Sequence, residues 1–158
     1  MKYYDCRTVL ALGAFGIFGA LLLQAPAAAH LGGDTPSVNV DRALLHAQLR
    51  TTATAQYNLH EISIAPSTLV REYATPQGTV FAVTWQGPLP PNLRQLLGGY
   101  YAQYQSAVAV QSRPGMHRQV NVAQADLVVQ STGRLRAFRG KAYVPSLVPA
   151  GVSVGNLP

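Results

Sequence analysis

Residues 79–85 restrict the fold more than any other segment of the 158-residue chain. In an extended conformation they place Thr79, Phe81, Val83 and Trp85 on one face and Val80, Ala82 and Thr84 on the other. Apolar side chains on both faces predict a strand buried in the middle of a sheet. Gly87-Pro88-Leu89-Pro90-Pro91 ends it, because proline has no N–H to give to a ladder. Residues 57–64 and 68–74 read as the preceding strands, bounded by Pro66 and by the turn residues Pro76-Gln77-Gly78.

Asn92 is placed to cap a helix over residues 93–108, in which Leu93, Leu96, Leu97, Tyr100, Tyr101, Tyr104 and Val108 follow helical spacing. Gly98-Gly99 weakens it by ~1 kcal/mol per glycine, so either another segment passes close over the glycines or the helix bends there. Two strands are predicted beyond it, 119–130 and 134–144, joined at Ser131-Thr132-Gly133. A bulge near Phe138 is needed to keep the alternation in phase, and it puts Arg134, Arg136, Arg139 and Lys141 on one outer face as a basic ribbon. Upstream, Asp41 as N-cap, with Val40 and Leu45 as a staple, predicts a short helix through Ala43, Leu44, Ala47 and Leu49, with Arg42, His46 and Arg50 on its polar side. The expected fold is therefore α+β: an antiparallel sheet of about five strands in β-β-β-α-β-β order, one main helix across a face, and a short amino-terminal helix.

Before this domain, Lys2 and Arg7 precede an apolar run over residues 8–23, and Ala27-Ala28-Ala29 supplies small residues for signal peptidase. Residues 1–29 read as a removed signal peptide, which leaves 30–158 as a single domain with an irregular amino-terminal arm, an extended carboxy-terminal tail and no membrane span. The expected location is the periplasm or the medium. Cys6, the chain's one cysteine, lies in the leader, so no disulfide is expected in the domain and no lipid is attached after the run. Residues 30–158 carry ten basic and five acidic side chains, a net charge of +5. A positive surface in the envelope favours an anionic envelope component or protein partner; no nucleic-acid motif is present.

No catalytic constellation assembles, and the sequence implies neither enzyme activity nor a cofactor. Gly151-Val152-Ser153-Val154-Gly155 has the form of a hydrolase nucleophile elbow, but the acid and histidine of that fold follow the serine, and only five residues follow Ser153. His60 and Glu61, as strand neighbours, point to opposite faces. Glu61 and Glu72 could face each other across adjacent strands, or neutralise Arg71. His30, exposed as a new amino terminus by cleavage after Ala29, offers an amine and an imidazole to copper, with His46, His60 or His117 as a further nitrogen ligand. Trp85 with Tyr100, Tyr101 and Tyr104 fits core packing better than a stacking surface.

The segments Val70-Arg71-Glu72-Tyr73, Trp85-Gln86-Gly87-Pro88, Leu96-Leu97-Gly98-Gly99-Tyr100 and Ala142-Tyr143-Val144-Pro145 give the chain a resemblance. It resembles a family of short exported proteins of Gram-negative bacteria that is catalogued as a domain of unknown function. The similarity runs from about Gly32 to Ser153. It implies export, and it assigns no activity, cofactor or site residue. The leading expectation is a non-catalytic binding module of the cell envelope that uses its basic surface. A periplasmic copper protein built on His30 is the alternative, and a hydrolase comes last.

Overall fold

The computed structural model describes residues 30–34, 47–64, 67–111 and 119–157. Seven strands form one antiparallel sheet: β1 (Gln48–Ala53), β2 (Asn58–Ile64), β3 (Thr68–Ala74), β4 (Val80–Gly87), β5 (Gln119–Gln124), β6 (Leu127–Arg134) and β7 (Ala137–Tyr143). Their spatial order is β1-β2-β3-β4-β7-β6-β5, so two meanders meet where β4 pairs with β7. The segment read as central is central, and Val80, Phe81, Ala82, Val83 and Trp85 are all buried.

The expected α+β domain with about five strands is overturned. The sheet has seven strands, for two local reasons. Gln48–Ala53 is a strand rather than the end of a helix: Leu49 and Arg50 lie opposite Ile62 and Glu61 of β2, and this pairing overrides a weak helical spacing. Ala47 is non-helical, and the rest of the predicted amino-terminal helix, up to residue 46, lies outside the described residues. The single strand expected over 119–130 folds back at Ala125-Asp126, so that Gln124 faces Leu127.

The last hairpin also differs. Gly133 is inside β6, where its missing side chain admits the Phe138 ring; a Cβ there would stand 2.7 Å from that ring. The turn is Leu135-Arg136, closed by the Arg134–Ala137 pair, with Arg136 in the left-handed region at φ 60°. No bulge occurs at Phe138. The extra residue is Phe81, because Tyr73 pairs with Ala82 and Ala74 with Val80.

One interrupted helix covers part of a sheet face: α1 (Leu93–Leu97), a 3-10 turn (Gly98–Tyr100), then α2 (Tyr101–Gln111). Asn92 caps it, its Oδ1 accepting the Gln95 N–H at 3.3 Å. The two alternatives left open for the glycines meet at Gly98, while at Gly99 no described segment comes within 4 Å of where a Cβ would be. The helix changes character at Gly98, whose φ of 50° favours glycine, and the His30 ring lies where a Cβ of residue 98 would be. From there the chain enters the core. The Leu31 N–H donates to the Leu96 carbonyl at 2.9 Å, Gly32 and Gly33 exchange hydrogen bonds with Val80, and the Leu31 side chain is 1% exposed.

Leu31, Ile62, Val70, Val83, Trp85, Leu96, Leu97, Val122, Leu127 and Val129 form the main core between sheet and helix. Tyr100, Tyr101 and Tyr104 pack against it half-buried, and Trp85 is buried, as expected for packing residues. Among the described residues no helix is long and apolar enough to cross a membrane.

Candidate anion-binding surface

The face of the sheet away from the helix is organised in transverse rows, because antiparallel pairing aligns one residue from every strand. One row runs Thr52, Leu59, Tyr73, Ala82, Tyr143, Val128, Ala123 from β1 to β5. The carboxy-terminal tail crosses this apolar row as two 3-10 turns, Pro145–Leu147 and Val154–Asn156, joined by non-helical residues. Leu147, Val148, Val152 and Leu157 of the tail, together with Tyr57, Leu59 and Tyr143, pack against the buried Tyr73, Phe81 and Ala82, and the Tyr57 and Tyr73 rings meet edge-on at 5.6 Å.

The next row reads Arg50, Glu61, Arg71, Thr84, Lys141, Gln130, Asn121, polar from edge to edge. Beyond it comes Gln48, Ser63, Leu69, Gln86, Arg139, Thr132, Gln119, polar except for Leu69. These two rows carry four cations, Arg50, Arg71, Arg139 and Lys141, against one carboxylate. Arg71 Nε donates to Glu61 Oε1 at 2.8 Å, which fixes the guanidinium over the centre of the sheet and neutralises that acid locally. A depression of about 340 Å³ opens here, lined by Arg71, Thr84, Gln86, Gln130, Arg139 and Lys141, with Leu157 of the tail at its border. A second concavity of about 590 Å³, lined by Thr132, Arg134 and Arg139 among others, continues toward the β6–β7 turn.

Of the predicted basic ribbon, Arg134, Arg139 and Lys141 do share the outer face, but through the register Arg134–Ala137 and not through a bulge. Arg136 sits in the turn. Arg50, Arg71 and the polar partners Thr84, Gln86 and Gln130 were not read as part of the surface. Alternation along β3 was available to place Arg71 outward, but only strand order reveals that it lies two strands from Lys141. Guanidinium, ammonium, amide and hydroxyl groups together offer many donors to a ligand with oxyanions, and the rows place no histidine or unpaired carboxylate beside them.

The other titratable candidates disperse. Glu61 and Glu72 lie on opposite faces, so they are not an acid–base pair; Glu61 neutralises Arg71 instead. His60 is buried under the helix-side face, opposite Glu72 in register, with its Nδ1 3.0 Å from the Thr51 hydroxyl. Burial holds its imidazole below the ordinary histidine range. His30 rests on Gly98, His46 and His117 lie outside the described residues, and no three of His, Cys, Asp and Glu gather as a metal site among the described residues. Ser153 is an exposed tail residue ahead of a 3-10 turn, not the apex of a strand-to-helix elbow.

Neither a curated protein nor a solved structure matches the chain. A family match covers residues 27–157, nearly all of the chain after its leading apolar segment. The chain belongs to the family described as Protein of unknown function (DUF2844).

Proposed function

We propose that this protein is a non-catalytic binding module of the cell envelope, exported by removal of residues 1–29, which holds an anionic partner on the two open polar rows of its sheet. The observation that carries this reading is the selective covering of that face. The tail packs on the middle of the apolar row and leaves uncovered the rows with four cations and one carboxylate, in a donor-rich depression. A surface meant only for solubility mixes both signs. Here the acid present is already engaged by Arg71.

The test is retention of the purified protein on immobilised heparin, used as a generic polyanion, over a salt gradient. Arg139→Glu combined with Lys141→Glu should elute at clearly lower salt than the parent, because contacts to a polyanion release counterions in proportion to the charges engaged. Equal elution of parent and variant would remove the open rows from the binding surface. Intact mass of protein recovered from the periplasm, starting at His30, would support the export half of the reading.

A further inference from the structure

One end of the sheet differs from the other in charge and in apolar exposure. Gly87 of β4 pairs with Phe138 of β7, and the chain beyond each of them leaves the sheet at the same end. Two of the three large apolar side chains exposed among the described residues lie there, Leu89 at 58% and Leu135 at 92%. Leu135 is the first residue of the β6–β7 turn, with Arg134 and Arg136 on either side. Phe138 packs on Gly133 and belongs to neither core cluster. Described acids are placed elsewhere. Asp34 bridges to Thr79 and Asp126 lies in the β5–β6 turn, both at the opposite end, while Glu61 is held by Arg71 and Glu72 is buried under the helix-side face.

Arg136 occupies a left-handed conformation at φ 60°, which glycine or asparagine adopts at less cost. It keeps a cation next to the most exposed leucine. Arg139 lies two residues up β7 from Ala137, ~7 Å at strand rise, within one Debye length of the tip at physiological salt.

We infer that the β6–β7 turn is a membrane-docking tip: Leu135 enters the headgroup region of an anionic bilayer while Arg134, Arg136 and Arg139 bind the lipid phosphates. This rests on the anion-binding reading above and names the partner as a lipid surface. A soluble linear polyanion needs the cations but has no use for an apolar side chain standing free between two arginines. An anionic bilayer uses both, one by burial of apolar area and the other by surface potential.

The test is co-sedimentation of the purified protein with phosphatidylcholine vesicles, with and without phosphatidylglycerol, beside heparin elution. Binding should require phosphatidylglycerol and weaken with salt. Leu135→Ser should lower vesicle partitioning about tenfold, equivalent to ~1.4 kcal/mol, and leave heparin elution unchanged. Arg134→Gln with Arg136→Gln should lower partitioning by about fivefold for each charge lost, from ~1 kcal/mol per basic residue near an anionic surface. The Leu135→Trp protein should show a blue shift of emission on adding anionic vesicles, beyond any change in the parent, whose Trp85 is buried. Leu135 is in a solvent-exposed turn, so these variants fold. Parent-like partitioning of Leu135→Ser, or no blue shift in Leu135→Trp at saturating vesicles, overturns tip insertion. Heparin retention with no vesicle binding identifies a soluble polyanion and overturns the lipid partner alone. Loss of heparin retention in the parent overturns the underlying anion-binding reading.

Discussion

Leu31 lies one residue past the proposed cleavage point, yet its side chain is 1% exposed and joins the main core. Replacing it with alanine removes three carbons from a closed environment, a transfer loss of ~2.4 kcal/mol at ~0.8 kcal/mol per methylene. A cavity term adds to this, because sheet and helix are held by their own ladders and close only in part, so Leu31→Ala should lose about 3–5 kcal/mol in all. That is a large share of the ~5–15 kcal/mol by which domains of this size are stable. Urea unfolding followed by Trp85 emission should show the midpoint falling by roughly 2–3 M for an m-value of about 1.5 kcal/mol/M. Leu89→Ala, at an exposed position, serves as the control and should shift it little. A Leu31→Ala protein within ~0.5 kcal/mol of the parent would refute the reasoning, since it would mean that the segment frays and that the Leu31–Leu96 and Gly32–Val80 hydrogen bonds contribute nothing in solution. The same residue ties stability to processing. Cleavage before His30 leaves the plug whole, whereas cleavage beyond Leu31 would remove it.

Gly140 lies against the Trp85 ring, and a Cβ there would also stand 2.7 Å from the Gln130 carbonyl, so Gly140→Ala should cost ~1–3 kcal/mol by overpacking and alter the Trp85 emission of the folded state. Since burial lowers the His60 pKa below 6.5, the unfolded chain takes up the proton first as the medium becomes acidic. The stabilisation by neutral His60 is therefore complete above 6.5 and is lost as pH falls below it; His60→Gln should flatten that part of a stability–pH profile, and an unchanged slope would count against a buried neutral imidazole. Glu61→Gln should cost at most ~1 kcal/mol, as expected of a partly exposed pair, while freeing Arg71 and moving heparin elution to higher salt. Elution at lower salt would show that Glu61 positions Arg71 for the ligand rather than competing for it.

The central part of the sheet was legible because β4 is apolar on both faces and is cut off by prolines, signals that need no knowledge of distant partners. The helix was legible from its apolar spacing and its Asn92 cap, whereas the sequence left open whether Gly98-Gly99 marks a bend or a close approach. What escaped prediction depended on tertiary pairing. Gln48–Ala53 has no strong pattern of its own and becomes a strand by lying against β2. Gly133 carries the usual mark of a turn, but its role is to admit Phe138, while the true turn uses Leu135 and Arg136, neither a turn former. Of the basic ribbon, three of the four cations share the outer face through a different device, since a bulge at Phe138 and a turn moved by three to four residues both bring Arg139 and Lys141 outward. Its extension to Arg71 and Arg50 could not be read, because residues far apart in sequence become neighbours only through the order β1-β2-β3-β4-β7-β6-β5.

That order also separates the buried row from the proposed binding rows on one surface. A sheet with a helical layer on one side must still deal with the apolar side chains of its other face, and here most of them gather along a single row, with Tyr73 and Ala82 at its middle and the bulged Phe81 packed beside them. The described tail packs on the middle of that row, and Leu157 lines the border of the depression beside the polar rows. Burial on this face therefore comes from Leu147, Val148, Val152 and Leu157, and none of it requires the neighbouring cations. Substitutions in the tail should reduce stability and alter heparin binding only through unfolding, whereas charge changes at Arg139 or Lys141 should alter binding with little effect on the unfolding midpoint. If Val152→Asp instead weakened heparin binding in protein that remained folded, the tail would have to shape the depression directly, and the two functions of this face would be coupled at Leu157.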